Sequence, residues 1–182
     1  MISFIYTIDF AILNYIDSML HTPFLDNLMP IITRLGNRGI LWIIIAVIFL
    51  CTKKYRTTGI IMLSSLAISS LIGNDIIKPL IGRERPYVYR EGYQLLIPPP
   101  QGFSFPSGHT ISSFTASTVI FLRHRKIGTV ALCIAALIAF SRLYLYVHFP
   151  SDVLGGLIMG VLIGILCSHM FRCKTENSTS ME

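Results

Sequence analysis

The stretch His148–Phe171, HFPSDVLGGLIMGVLIGILCSHMF, joins a polar head to a long apolar body. The body, Val153–Phe171, contains no Asp, Glu, Lys or Arg. Roughly 20 helical residues cross a hydrocarbon core of about 30 Å, so this body predicts a membrane-spanning helix. In front of it stand His148 and Asp152, with Pro150 placed to open the helix. Ionisable groups at the end of such a segment are expensive and mark a functional site by default.

The same pattern recurs along the chain. Gly39–Thr52, Thr57–Ile77, Ser107–Leu122 and Ile127–Ser141 are further apolar runs with few or no charges. The whole chain of 182 residues is 53% hydrophobic and 13% charged, with mean hydropathy +0.65, which excludes an ordinary soluble domain. We expect an all-α integral membrane bundle of about six helices, in which residues 1–174 form one domain and 175–182 a short polar tail. Residues 1–38 carry N-terminal helices. Phe4–Leu20 is apolar but interrupted by Asp9, Asn14 and Asp17, and is expected to cross with its carboxylates facing protein. Thr22-Pro23 reads as a cap and first helical position for a short element ending near Gly36. Cys51, Cys133, Cys167 and Cys173 lack metal-ligand spacing and read as small buried hydrophobes without disulfides.

Positive charge sorts the loops. Lys53, Lys54 and Arg56, then Arg123, Arg125 and Lys126, then Arg172 and Lys174 alternate with the loops that bear the polar heads. The positive-inside rule makes their face cytoplasmic, so the C-terminus is cytoplasmic and the polar heads face outside a cell membrane. Topology accounts for the net charge of +6, and no nucleic-acid partner is implied. In the last span Gly156, Gly160 and Gly164 recur every four residues; this spacing suits close helix packing, within the chain or across a homodimer seam. The loop Tyr87–Ser104 is long and aromatic-rich, which fits a lid or an interface belt.

Three polar groups share the outer face. Lys78 and Arg85 lie seven residues apart, on one helical face if the helix continues past Pro79 and Gly82. Arg83 and Glu84, between them, read as solvated. Pro106-Ser107-Gly108-His109 opens an apolar run, so Ser107 and Gly108 fall in a first helical turn whose free N–H groups suit an anion. Arg142 follows Ser141 with no acid nearby in its stretch; a phosphate is its natural ligand. Asp152, four residues after His148, can fix the imidazole tautomer and leave the other nitrogen basic. Taken singly, each cation reads as an interface anchor, and Asp152 as a helix-start acid. Their joint presence at one face is what points to phosphate chemistry.

These residues resemble the three signature motifs of the type 2 phosphatidic acid phosphatases, a superfamily that also holds vanadium haloperoxidases and glucose-6-phosphatase. The matching residues are Lys78-x(6)-Arg85-Pro86, Pro106-Ser107-Gly108-His109 and Ser141-Arg142-x(5)-His148-x(3)-Asp152. The resemblance implies a six-helix membrane fold and hydrolysis of a phosphomonoester or diphosphate without metal or cofactor. It implies His148 as nucleophile, Asp152 as its orienter and His109 as the acid for the leaving oxygen. Lys78, Arg85, Ser107, Gly108 and Arg142 are implied as the phosphate cradle. The expected substrate is a membrane lipid: phosphatidic acid, phosphatidylglycerophosphate or undecaprenyl diphosphate. A phosphotransferase sharing the first step, or a non-enzymatic anion carrier, are the alternatives.

Overall fold

The computed structural model describes residues 2–179, and within them the chain is helical with no strand. The elements are α1 (Ile2–Met19), α2 (Pro23–Leu35), α3 (Ile40–Cys51), α4 (Arg56–Ser70), α5 (Lys78–Ile81), α6 (Gly108–Arg123), α7 (Arg125–Tyr144) and α8 (Pro150–Thr179). A π-helical segment, Leu71–Ile77, carries α4 directly into α5. Seven of these helices are twelve residues or longer, against the expected six. The extra one arises because α2 is a full helix capped by the Thr22 hydroxyl, as its Thr-Pro start predicts.

Three stretches are long and apolar enough to cross a membrane: Arg56–Tyr89, Arg125–Tyr144 and Pro150–Phe171. The pair Pro23–Leu35 and Asn37–Cys51, bent by 43°, makes a fourth if it is one broken span. This is fewer than the five apolar runs suggest, because α3 and α6 are only 12 and 16 residues long. α6 is the central helix, packed against α4, α7 and α8, with Ser113–Ile120 buried throughout. Its neighbours, rather than lipid, surround it.

Small residues bring the helices of this centre together. A Cβ on Gly156, Gly160 or Gly164 would come 2.9, 2.7 or 2.9 Å from the carbonyl oxygens of Ser107, Ile111 and Thr115. The glycine stripe therefore seats α8 against α6 within the chain, and any pairing of two chains through α8 would use another face. Trp42 of α3 closes the other side, donating from Nε1 to Ser113 Oγ at 2.9 Å. Apolar residues such as Ile44, Ile48, Leu154 and Leu162 cover the exterior of the bundle. Cys51 and Cys133 are exposed and only Cys167 is buried, so the reading of these cysteines as core residues holds for one of the three; the side chain of Cys173 lies outside the described residues.

The topology gathers the polar heads. Lys78 opens α5 beyond the end of α4, and Arg142 lies in the last turn of α7. Gly108 and Pro150 begin α6 and α8. Helix ends and helix starts meet at one end of the bundle.

Candidate active site

A cavity of about 1040 Å³ opens at that end. Of the eight residues expected to form a site, Lys78, Arg85, Gly108, His109, Arg142 and His148 line it together. Lys78 and Arg85 do not share a helix. The helix stops at Ile81, and Gly82 takes a left-handed φ of +62° that turns the chain back toward the cavity. Arg85 is clamped by carbonyls: Nε donates to Gly102 O (2.9 Å), Nη1 to Val147 O (2.9 Å), and Nη2 to Gln101 O (3.2 Å) and Phe103 O (3.3 Å). Arg142, 2% exposed, donates from Nη1 to Thr33 Oγ1 at 2.5 Å, while its buried Nε has no partner among the described residues. No carboxylate pairs with Lys78, Arg85 or Arg142 among the described residues. Three cations facing one cavity without a counter-charge make an anion site.

His148 stands at the cavity wall, 2% exposed. Arg85 Nη1 donates to its Nε2 at 3.2 Å. A guanidinium has only donors, so Nε2 is the unprotonated nitrogen and carries a lone pair at the cavity. Burial, then the charges of Arg85, Arg142 and Lys78, hold the imidazole pKa well below its ordinary value. The ring is neutral at physiological pH. Across the cavity, His109 Nε2 lies 2.9 Å from Asn37 Oδ1. An amide oxygen only accepts, so His109 presents an Nε2 proton to that side.

Behind His148 the charges are paired, although Arg83 Nε has no partner among the described residues. Asp152 Oδ2 accepts from Ser104 Oγ (2.5 Å) and the Phe149 N–H (2.8 Å), and Oδ1 accepts from Arg83 Nη1 (2.6 Å). Asp152 Oδ2 approaches His148 Nδ1 at 3.5 Å, and Ser104 Oγ lies 3.4 Å from the same nitrogen, so both stand at the long limit of hydrogen-bond distance on that side of the ring. Arg83 also donates from Nη1 to Ser151 Oγ (2.7 Å) and from Nη2 to Asp9 Oδ2 (2.7 Å), with its guanidinium 4.1 Å over the Phe149 ring. Asp9 in turn accepts from the Ser151 N–H (2.9 Å) and hydroxyl (2.5 Å).

The expected residues thus divide. Ser107 and Asp152 stand behind the wall rather than on it. Ser107 is the residue preceding α6, not part of its first turn; it is fully buried and its Oγ accepts from Thr110 Oγ1 at 2.9 Å. Gly108 does line the cavity, and a Cβ there would sit 2.8 Å from Asn74 Oδ1. Arg83 is not solvated as its sequence neighbours suggest, whereas Glu84 is exposed. Ser104, Asp9, Thr33 and Asn37 carried no motif; the one signal available was Asp9, an acid interrupting an apolar run. It does face protein, at 2% exposure, as do Asn14 and Asp17 through Tyr146, Tyr93 and Arg90. The Tyr87–Ser104 loop is stitched down as a wall by its carbonyls on Arg85, by Ser104 N–H to Arg83 O (2.7 Å) and by Tyr87 OH to Pro100 O (3.3 Å).

This is a helical membrane bundle with basic residues and two histidines at the mouth of one cavity. The model of the PAP2 superfamily matches residues 58–176, and the chain belongs to that superfamily. It is 35% identical over 161 residues to phosphatidylglycerophosphatase B of Bacillus subtilis, covering 81% of this chain and 76% of the relative. It is 32% identical over 146 residues to undecaprenyl-diphosphatase BcrC of the same organism, covering 80% and 75%. An undecaprenyl-diphosphatase of Sulfolobus acidocaldarius is 31% identical over 143 residues, covering 78% and 68%. Among solved structures, the transmembrane PAP2-type phosphatidylglycerolphosphate phosphatase of Bacillus subtilis superposes with a TM-score of 0.75 at 29% identity, covering 92% of this chain and 86% of that one.

Proposed function

We propose that the protein hydrolyses the phosphate or diphosphate of a membrane lipid through a phosphohistidine, without a metal ion. One observation carries this reading: His148, whose Nε2 accepts from Arg85, lines the same cavity as Lys78, Arg85 and Arg142, none of which pairs with a carboxylate among the described residues. In the first step Nε2 attacks phosphorus and the N–P bond forms. The P–O bond to the lipid breaks, and its electron pair leaves on an oxygen that takes a proton from His109, which enters this step as the imidazolium and ends it neutral. The three cations stabilise charge on the equatorial oxygens, usually the largest contribution in such catalysis. In the second step His109 accepts a proton from water and hydroxide attacks phosphorus. The N–P electron pair returns to Nε2 and inorganic phosphate departs. Asp152, held by Arg83 and Ser104, keeps the Nδ1 side of His148 as the protonated one.

Relatives named as undecaprenyl-diphosphatases and as a phosphatidylglycerophosphatase support a lipid substrate. The cavity supports it too, since it continues from the cations to Ile40, Ile43, Leu63 and Leu66 of α3 and α4. The basic loops around Lys53 and Arg123 support a site on the non-cytoplasmic face and a cytoplasmic C-terminus. The test is phosphate release by detergent-solubilised protein in EDTA. Wild type is expected to stay active and His148→Ala to lose activity entirely. Loss of wild-type activity in chelator would end the metal-free mechanism, and an anion carrier would release no phosphate at all.

A further inference from the structure

The cavity contains a fourth cation that the phosphate cradle does not use. Gly36, Asn37, Arg38 and Gly39, the turn between α2 and α3, line the same cavity as His148. The turn is pressed onto α6. A Cβ on Gly36 would lie 2.7 Å from His109 Cδ2, and one on Gly39 would lie 3.5 Å from Ser112 Cβ. Arg38 sits in it at φ +50°, ψ +19°, a left-handed conformation that non-glycine residues seldom adopt. Such strain persists where surrounding structure enforces it, and it clusters at ligand sites. Arg38 is exposed to the cavity and makes no hydrogen bond or ion pair among the described residues.

We propose that Arg38 binds the second phosphate of a lipid diphosphate and makes the site selective for diphosphates over monophosphates; this rests on the phosphatase reading above. The direction of the leaving group is the decisive observation. His109 directs its Nε2 proton at Asn37 Oδ1, so that amide oxygen occupies the place of an incoming leaving oxygen. A leaving oxygen that takes this proton enters beside the turn that carries Arg38, which lines the same cavity. In a phosphomonoester the group on that oxygen is a carbon, which offers a guanidinium nothing. In a diphosphate it is a phosphorus bearing anionic oxygens, the planar partner that guanidinium recognises in a forked, charge-assisted way. Past Arg38 the wall turns apolar at Ile40 and Ile43, where the hydrocarbon chain belongs. When Nε2 of His148 bonds to the terminal phosphorus, the bond to the bridging oxygen breaks. The lipid monophosphate leaves with the electron pair, and Arg38 matches the charge it gains.

The test compares farnesyl diphosphate with farnesyl monophosphate, one hydrocarbon with two head groups, on wild type, Arg38→Gln and Arg38→Asn. Asn tolerates the left-handed turn and keeps it formed should Gln not. The ratio of kcat/KM for diphosphate over monophosphate is expected to fall about tenfold to a hundredfold in both variants, the scale of one lost charge-assisted contact. Calorimetry supplies a readout without turnover. Wild type is expected to bind inorganic pyrophosphate at least about tenfold tighter than orthophosphate, and the variants to lose that preference. An unchanged ratio, or equal binding of the two anions by wild type, overturns the proposal. If wild type releases phosphate from neither lipid, the phosphatase reading falls, and the pyrophosphate preference still decides the role of Arg38.

Discussion

The two sides of His148 follow opposite rules. On the Nδ1 side every charge has a counter-charge: Arg83 lies between Asp9 and Asp152, and Ser104 and Ser151 occupy the remaining acceptors. On the Nε2 side Lys78, Arg85 and Arg142 face a cavity and pair with no carboxylate among the described residues. A charge-paired network fixes a geometry, whereas unpaired cations await a ligand. The difference teaches that buried charge in this protein serves two separate ends within a few ångströms.

Removing charge from each side should therefore have opposite effects on stability. Arg83→Met strands Asp9 and Asp152 in a low-dielectric site, and is expected to cost about 3–5 kcal/mol of stability in detergent melting experiments. Adding Asp9→Asn to that variant should recover part of the loss in a double-mutant cycle, because one stranded charge is gone. Arg142→Gln is expected to lower kcat/KM by about 10²–10³. It should leave the ligand-free protein no less stable, since it removes a buried cation that lacks a counter-charge. A fall in melting temperature as large as that of Arg83→Met would erase the contrast between the two sides. Ser104→Ala is expected to lower kcat about tenfold with little change in KM, the scale of one hydrogen bond that orients the imidazole. The smallest expected effect is on pH dependence. Burial, and after it the cations, hold the His148 pKa down, so the acid limb of kcat/KM should lie below the ordinary histidine value of about 6.5. Removing one of them in Arg142→Gln should move that limb upward. A depressed histidine pKa also means that stability is lost as pH falls through the unfolded-state value, where the unfolded chain takes up a proton that the buried ring refuses.

The paired side was much harder to see in the sequence than the open side. Lys78, Arg85, His109, Arg142 and His148 stand in short motifs at the ends of apolar runs, and each motif carries its own local signal. The partners of Arg83 do not. Asp9 is 74 residues away, and Asp152 is 69 residues away. No periodicity links such positions, and the adjacent Glu84 makes Arg83 look like half of a solvated pair. Ser104 closes a loop that reads only as aromatic and proline-rich. Asn37 and Arg38 act through the turn they occupy, whose conformation depends on how Gly36 and Gly39 pack against α6. The helical membrane bundle itself was legible in the apolar runs, and the seventh helix is α2, whose Thr22-Pro23 start the sequence also carries.

The bonds between Asp9 and Ser151 span 142 residues. During synthesis Asp9 is made long before Ser151 exists, so the site cannot be completed helix by helix. It closes only when α8 is inserted and its start swings against α1. Until that moment the carboxylate can hold Arg83 but lacks the Ser151 N–H and hydroxyl, which makes insertion of α8 the step at which an unfinished chain becomes a finished one.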